Sequence, residues 1–255
     1  MNWLLLRGLA REQRHWGRFP ETLAAKLAVG PEGGSVHCLD LPGMGTEHAR
    51  PGRGTIDAIV EDLRRRWRPL AEQHLGPWCV AGISLGGMAA LRWVGDHPSD
   101  FSSLVVVNSS AGDLSPPWHR MTPRVLPEVM RALLERDPVA RERRILSATT
   151  RMKNDLDSIA FAWARFQIDR PITRFAVLLQ LLAAMRFRAP RSLAVPTLII
   201  AGLRDPFTNP SCARRLAERF EARLETHPSA GHDLSTDDPD WLAERIAAFP
   251  PSVRG

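Results

Sequence analysis

Long apolar runs and lysine are scarce in this sequence. No stretch of about 18 apolar residues occurs, which is the length that crosses a bilayer as a helix, so we predict no transmembrane segment. The apolar start of the chain is too short for a signal peptide and has no basic leader, so we expect none. Of the 34 basic residues, only Lys26 and Lys153 are lysines, and the remaining positive charge is carried by arginine.

Cysteine is equally sparse. The three cysteines, Cys38, Cys79 and Cys212, cannot all pair, and the first two fall in predicted buried strands. We therefore interpret them as core residues of a cytoplasmic protein in a reducing compartment. The sequence also has no metal-ligand spacing and no glycine-rich phosphate loop, so we predict neither a metal nor a cofactor.

The most informative feature that is present is a serine between two glycines in residues 82–86, Gly-Ile-Ser-Leu-Gly. The apolar stretch 77–81 before it predicts a buried strand, and the pattern of 85–97 after it predicts a helix. A serine at such a turn is a nucleophile elbow, which holds the hydroxyl exposed at the carboxyl edge of a sheet. Glycines suit the flanking positions because side chains there would collide with the adjacent strand and helix. We therefore predict Ser84 as a nucleophile.

A base and an acid for this serine follow downstream in the order Ser, Asp, His. Asp205 follows an apolar strand predicted at 197–202, and His232 follows a shorter strand predicted at 224–227. Because the carboxyl ends of parallel strands meet at one edge of a sheet, both side chains are expected to face the elbow. We predict His232 as the general base and Asp205 as the acid that orients it.

Other residues compete for these two roles. Asp113 lies shortly after the strand predicted at 104–108, where such an acid can also sit. His227 falls inside its predicted strand rather than beyond it. Asp233 is adjacent to the imidazole that it would have to orient, so its side chain is expected to point away. We rank all three behind the pair above.

Short apolar strands alternate with helical patterns along the chain. This alternation predicts an α/β fold with a mostly parallel six-stranded sheet and helices on both faces. The predicted strands are 2–7, 35–40, 77–81, 104–108, 197–202 and 224–227. The predicted helices are 19–29, 55–74, 85–97, 211–220 and 240–249. Residues 112–191 are helical in character throughout, so we expect a core of 1–111 and 192–255 and a helical cap of 112–191.

Further segments match a known family. Residues 3–9, Trp-Leu-Leu-Leu-Arg-Gly-Leu, look like a first strand and oxyanion loop, with Trp16 as the tryptophan that follows. Residues 40–45, Asp-Leu-Pro-Gly-Met-Gly, look like the segment after the second strand. With the elbow, they make the chain resemble the α/β-hydrolase superfamily over essentially its whole length. Within it, residues 82–90 and the Asn-Ser-Ser at 108–110 are most similar to the pimeloyl-ACP methyl ester carboxylesterases.

The resemblance implies an α/β-hydrolase fold and acyl transfer to water without a cofactor. It implies that the backbone N–H groups of Leu9 and Leu85 bind the oxyanion that develops on the substrate. Two positions depart from the family, because Arg7 stands where a histidine is usual and Met44 where a histidine or an aromatic residue is common. Neither departure removes a catalytic atom, because the oxyanion donors are backbone N–H groups. What the two departures leave open is the class of substrate.

Positive charge is concentrated in the predicted cap. Residues 113–191 hold 15 basic and 8 acidic residues, a net +7 that exceeds the +6 of the whole chain. Arg141, Arg143 and Arg144 form its densest cluster, which indicates an anionic acyl carrier (ACP or coenzyme A) as a partner. Solvated helix faces with no partner are the alternative. The arginine-rich run 64–68 is interpreted as an exposed helix face, and no nucleic-acid partner is predicted.

Two aromatic residues of the cap, Trp163 and Phe166, share one helical face. They are candidates for the lining of an apolar acyl pocket, and packing between cap helices is the alternative explanation.

The favoured function is a serine carboxylesterase or thioesterase. A lyase of the menaquinone-pathway type uses the same three residues to abstract a proton, but such lyases usually carry an arginine where residues 88–90 are Met-Ala-Ala. A non-catalytic binding protein on a hydrolase scaffold is the third hypothesis. Such proteins generally lose one member of the triad, and here Ser84, Asp205 and His232 are all present.

Overall fold

A six-stranded, wholly parallel sheet forms the centre of the protein. The computed structural model describes residues 1–28, 34–153 and 155–249. The strands are β1 (Asn2–Leu6), β2 (Ser35–Leu39), β3 (Trp78–Ile83), β4 (Ser103–Val107), β5 (Thr197–Gly202) and β6 (Arg223–His227). Their order across the sheet is β2-β1-β3-β4-β5-β6. The prediction of an α/β fold with six strands is confirmed.

Helices cover both faces of the sheet. On one face lie α2 (Ile56–Gln73), α3 (Leu85–Asp96) and α9 (Ser211–Phe220), and on the other lie α1 (Phe19–Ala28) and α11 (Pro239–Ala247). Strand β1 shows why both faces are covered. Its Leu4 and Leu6 pack on the face that α2, α3 and α9 cover, and its Trp3 and Leu5 pack on the face that α1 and α11 cover. Successive strand residues face opposite sides, so a strand buried on both sides must be apolar throughout. The last residue of the helix predicted at 19–29 lies outside the described residues.

Five further helices lie between β4 and β5. They are α4 (Pro117–Arg120), α5 (Leu126–Leu134), α6 (Pro138–Thr149), α7 (Leu156–Asp169) and α8 (Arg174–Arg186), and we call them the inserted helices. A short helix, α10 (Leu234–Asp237), precedes α11. Helices α6 and α7 share a small apolar cluster of Leu146, Ala160 and Trp163. The division into a core and a cap of 112–191 stays a prediction, and one residue of that cap, Asn154, lies outside the described residues.

The inserted helices contact the loops at the carboxyl edge of the sheet. Ala176 of α8 packs against the loops after β2, where a Cβ on Gly43 would lie 3.1 Å from the Cβ of Ala176. The C-terminal end of α6 touches the loop after β6, because Asp233 N–H donates to the Thr149 carbonyl at 2.9 Å. The inserted helices therefore lie over the ends of the strands.

The predictions about the cysteines and about the arginine-rich run 64–68 are confirmed only in part. All three cysteines are free, and Cys79 and Cys212 are buried, but Cys38 on the edge strand β2 is only half-buried. In the run 64–68, Trp67 is buried in the core, and Arg64 is ion-paired with Asp100 at 2.6 Å. None of the helices in the described ranges is both long and apolar enough to cross a bilayer.

Candidate active site

Ser84 lies at the sharp turn between β3 and α3. Its backbone has φ 55° and ψ −116°, in a region that residues with a side chain rarely adopt. The turn leaves no room for side chains beside it: a Cβ on Gly86 would lie 2.2 Å from the Leu6 carbonyl oxygen, and one on Gly82 would lie 2.3 Å from that of Gly86. Ser84 N–H donates to the Val107 carbonyl at 2.9 Å. The position of the serine is therefore fixed by backbone contacts on both sides.

Asp205 and His232 are in direct contact. His232 Nδ1 lies 2.7 Å from Asp205 Oδ2. The other carboxylate oxygen of Asp205 accepts from the backbone N–H groups of Phe207 at 2.7 Å and Thr208 at 2.9 Å. The Phe207 ring stacks on the imidazole with 4.9 Å between ring centroids. With Nδ1 engaged by the carboxylate, Nε2 is the ring nitrogen left to exchange a proton with a reacting group.

Asn108 ties the loop that carries His232 to the ends of β4 and β5. Its side-chain nitrogen donates to the carbonyls of Gly231 at 3.0 Å and His232 at 2.8 Å, and its side-chain oxygen accepts from Gly202 N–H at 2.8 Å. Its φ of 47° is a left-handed conformation that asparagine tolerates better than most residues. Sequence reasoning missed this role, although an asparagine at the end of a predicted buried strand was a signal for it.

The competing candidates are engaged elsewhere. Asp113 accepts from Ala189 N–H at 2.9 Å. His227 Nδ1 accepts from Ala230 N–H at 2.9 Å, and its Nε2 lies 3.3 Å from Asp238. Within the described ranges, no group of three or more His, Cys, Asp or Glu side chains is placed to hold a metal ion.

Ser84 and His232 both line a cavity of about 180 Å³ between the sheet edge and the inserted helices. We call its two sides the sheet wall and the helical wall. The sheet wall includes residues 7–11, Ser84, Phe207 and His232, and the helical wall is made by residues of α5, α6, α7 and α8. The helical wall is largely apolar, with Leu133, Ile145 and Leu181 among its residues. A serine hydroxyl, an imidazole and an apolar space thus share one cavity.

Comparisons with known proteins place the chain in a family. A model of the family described as serine aminopeptidase, S33 (Hydrolase_4), matches residues 7–239. The chain belongs to this family of α/β hydrolases. It is an esterase-type hydrolase.

Relatives and solved structures agree with that assignment. The chain is 28% identical to the pimeloyl-[acyl-carrier protein] methyl ester esterase of Chromobacterium violaceum, over 90% of this chain and 86% of that protein. It is 27% identical to the protein of the same name from Nitrosomonas europaea, over 90% of this chain and 87% of the other. A hydrolase from Pseudomonas aeruginosa has the same fold, with a TM-score of 0.73 at 19% identity over 97% of this chain and 89% of its own.

The predicted oxyanion loop of the hydrolase lies against Ser84. A Cβ on Gly8 would be 3.3 Å from the Cβ of Ser84, and Leu9 lines the cavity. Leu85 is the first residue of α3, directly after Ser84. The loop is held from the helical wall by Gln180, whose side-chain oxygen accepts from Ala10 N–H at 2.9 Å. The role of Leu9 and Leu85 as oxyanion donors stays a prediction.

Arg7, at the position where the superfamily usually has histidine, connects this loop to the loop that carries His232. Its guanidinium donates to both carboxylate oxygens of Asp233, at 3.1 and 2.6 Å, and to Ser235 Oγ at 2.8 Å. It also stacks on the Trp16 ring, 4.8 Å from the centroid. Burial opposes ionisation of Asp233, but the charge and hydrogen bonds of Arg7 outweigh it and hold the pKa of that carboxyl below its usual value. Met44, the other departure, is fully buried in the core.

The five predicted substrate contacts separate into two groups. Arg141 lines the cavity. Arg143 faces solvent and pairs with Asp157 at 2.7 Å, and Arg144 lies near Glu135 at 3.5 Å. These two are not among the cavity residues.

Trp163 and Phe166 are not among the cavity residues either. Their rings meet the edge of His15, with centroid distances of 4.8 and 5.4 Å. Trp163 also lies under the guanidinium of Arg11, at 4.6 Å. The structure therefore places this aromatic face of α7 against the segment after β1, behind the cavity wall.

Proposed function

We propose that the hydrolase cleaves carboxylic esters or thioesters through an acyl-enzyme on Ser84. The observation that supports the proposal is the 2.7 Å contact between His232 Nδ1 and Asp205, on a histidine that shares a cavity with Ser84. An ionised carboxylate accepts the Nδ1 proton, so it keeps Nε2 free to act as a base and stabilises the imidazolium that forms.

The proposed reaction has two symmetric halves. Ser84 Oγ attacks the carbonyl carbon and passes its proton to His232 Nε2, while the N–H groups of Leu9 and Leu85 bind the oxyanion. The imidazolium then gives that proton to the departing alcohol or thiol, which leaves the acyl group on Ser84. Water repeats the attack, gives its proton to His232, and the acid is released as the proton returns to Ser84.

We further propose that the acyl group is presented by an anionic carrier in the cytoplasm. The two relatives described above are named as esterases that act on an acyl-carrier-protein conjugate. The net charge of +7 on residues 113–191 would attract such a carrier, and on that region Arg143 is exposed and Arg144 is half-buried. The free thiols of all three cysteines support a reducing compartment.

The first test is hydrolysis of p-nitrophenyl esters from acetate to dodecanoate by the wild type and by Ser84→Ala. We expect Ser84→Ala to reduce kcat by about 10⁶-fold, because removal of a triad serine removes the covalent route. Its thermal unfolding midpoint should match that of the wild type. The control is Ser229→Ala in the exposed turn before His232, which should retain full activity. Turnover by Ser84→Ala at the wild-type rate would reject the proposed function.

Carrier docking has a separate test. The double variant Arg143→Gln/Arg144→Gln should raise KM for an acyl-ACP substrate by about five- to tenfold, since each cation contributes to the attraction of an anionic partner. The matched control is Arg219→Gln on α9, outside the inserted helices. An equal rise in KM for a neutral p-nitrophenyl ester would reject docking at these two residues.

A further inference from the structure

A connected group of polar side chains joins the two walls of the cavity, with Arg11 on the sheet wall and Glu142, Gln167 and Arg141 on the inserted helices. Arg11 Nη1 donates to Glu142 Oε2 at 2.6 Å, and Glu142 has no exposed surface. The other oxygen of Glu142 accepts from the side-chain nitrogen of Gln167. Gln167 in turn accepts from Arg141 Nη2 at 2.5 Å. Arg11, Gln167 and Arg141 all line the cavity, and we call them, with Glu142, the polar group.

This group leaves the cavity with an excess of positive charge. Arg11 is balanced by Glu142, as Arg7 is by Asp233. Arg141 has only the neutral amide oxygen of Gln167 as its acceptor and makes no ion pair within the described part of the chain. Arg174 of α8 also lines the cavity, and no carboxylate among the described residues pairs with it.

Two guanidinium N–H groups of the polar group have no acceptor. Arg11 Nη2 and Arg141 Nε are buried and unpartnered, and Arg11 is only 7% exposed. These two nitrogens have no accessible surface, so a ligand in the cavity would offset their uncompensated positive charge by its own negative charge, and the remaining N–H groups of Arg141 would donate to it. Elsewhere the helical wall offers apolar side chains such as Leu133, Ile145 and Leu181. The wall is complementary to an apolar chain that ends in an anionic oxygen group.

We propose that the polar group is a subsite for a carboxylate at the far end of the acyl group. The hydrolase then prefers half-esters of short dicarboxylic acids, with Arg141 and Arg11 as the residues that determine specificity. Guanidinium groups match carboxylates in geometry as well as in charge. This inference rests on the proposed function, because it assumes that the neighbouring carbonyl is the one attacked by Ser84. With the free carboxylate held there, a carrier belongs to the leaving group.

The test uses two esters that differ only at the far end. Methyl hexanoate and monomethyl adipate have acyl chains of equal length, one ending in a methyl group and one in a carboxylate, and methanol release reports both. For the wild type we expect kcat/KM for the half-ester to exceed that for the neutral ester by about tenfold or more, as a charge-assisted hydrogen bond gives. Arg141→Gln should bring this ratio close to one. The matched control, Arg165→Gln on the exposed side of α7, should keep the wild-type ratio.

A binding measurement separates failure of the subsite from failure of the proposed function. Adipate, hexanoate, 4′-phosphopantetheine and pantetheine are titrated calorimetrically into Ser84→Ala and into Ser84→Ala/Arg141→Gln. We expect adipate alone to bind in a manner that depends on Arg141. A wild-type ratio near one, with esters turned over by Ser84, would overturn the subsite and leave the proposed function intact.

Two other outcomes are equally informative. Adipate binding that depends on Arg141, in a wild type that hydrolyses no ester, would support the anion subsite and reject the esterase mechanism. Binding of 4′-phosphopantetheine but not adipate would overturn the carboxylate assignment, because the anion would then be the phosphate of a carrier arm.

Discussion

The two walls of the cavity are built in different ways. On the sheet wall, backbone groups fix the reactive side chains: Ser84 N–H is bound by Val107, and one oxygen of Asp205 is bound by two backbone N–H groups. On the helical wall, long side chains hold one another, as Arg141 and Gln167 do. A backbone contact cannot change without moving a strand, whereas a side-chain contact changes with a single substitution.

This difference indicates that the proposed chemistry depends on the sheet wall, whereas selectivity depends mainly on the helical wall. Ser84, Asp205 and His232 are positioned by elements that also form the core, so changes at these three residues should affect every substrate alike. Residues of the helical wall reach the cavity through flexible side chains from helices α5 to α8, so changes there should alter which substrate is accepted. The contrast can be tested by asking whether a variant lowers all rates together or changes their ratio.

Apart from the loss of Ser84 itself, the largest effect is expected from Asp205→Asn on the sheet wall. An asparagine cannot accept the Nδ1 proton and stabilise the imidazolium as a carboxylate does, so kcat should fall by about 10⁴-fold. The loss should be equal for monomethyl adipate and methyl hexanoate, in contrast to Arg141→Gln, which should change their ratio.

Asp113→Asn is the matched control for this substitution. Asp113 accepts a backbone hydrogen bond at Ala189, which an asparagine oxygen can also accept, so kcat should stay within about twofold of the wild type. If Asp205→Asn altered the ratio of the two esters, the separation between the walls would be wrong.

The next largest effect is expected on the free energy of unfolding, at the ion pair of Arg7 and Asp233, which is a side-chain contact on the sheet wall. Arg7→Met would leave the Asp233 carboxylate buried without its cation, and breaking such a pair costs about 3–5 kcal/mol of unfolding free energy. Urea unfolding at pH 7 measures the loss. Because Arg7 joins the loop of Gly8 to the loop of His232, the variant should also lower kcat for both esters.

A second variant separates the ion pair from general damage at this site. Arg7→Met/Asp233→Leu removes both charges, so it should be more stable than Arg7→Met alone, since an apolar replacement of a buried pair is often close to neutral. A double variant no more stable than the single one would show that Asp233 is not the source of the cost.

The sequence predicts the sheet wall better than the helical wall, and the reason is local. The elbow is a five-residue motif between a strand and a helix, and Asp205 and His232 each follow a strand whose apolar pattern is visible on its own. The six strands were predicted for the same reason. These features need no knowledge of distant residues.

The parts that sequence reasoning missed depend on contacts between distant segments. Arg7 and Asp233 are 226 positions apart. Trp163 and Phe166 do share a helical face, but periodicity does not say which neighbour that face meets, and it meets His15. In the cluster of Arg141, Arg143 and Arg144, one position along the helix corresponds to a rotation of about 100°. Arg143 and Arg144 therefore point in directions that differ from that of Arg141, and only Arg141 reaches the cavity.

The smallest predicted effect concerns His15, which lies at the junction of the two walls. Its ring contacts Trp163 of α7, and its Nδ1 accepts from Glu12 N–H at 3.0 Å. Burial, followed by the positive charges of Arg11 and Arg7, holds the pKa of this imidazole well below its usual value. The folded protein therefore keeps His15 neutral at a pH where the unfolded chain, with an ordinary pKa of about 6.5, takes up a proton.

The stability that comes from this neutral imidazole is present above about pH 6.5 and is lost as the pH falls below it, at about 1.4 kcal/mol per pH unit for one proton. The contribution of His15 is isolated by urea unfolding of the wild type and of His15→Gln from pH 7.5 to pH 5. Glutamine keeps a hydrogen-bond acceptor and does not titrate. The contributions of the other histidines to the unfolding free energy are the same in both proteins, so they cancel in the difference. The wild type should lose stability faster toward pH 5 than the variant. Parallel curves would show that His15 takes up its proton at the same pH in the folded protein as in the unfolded chain, and that the junction between the walls tolerates a third cation beside Arg11 and Arg7.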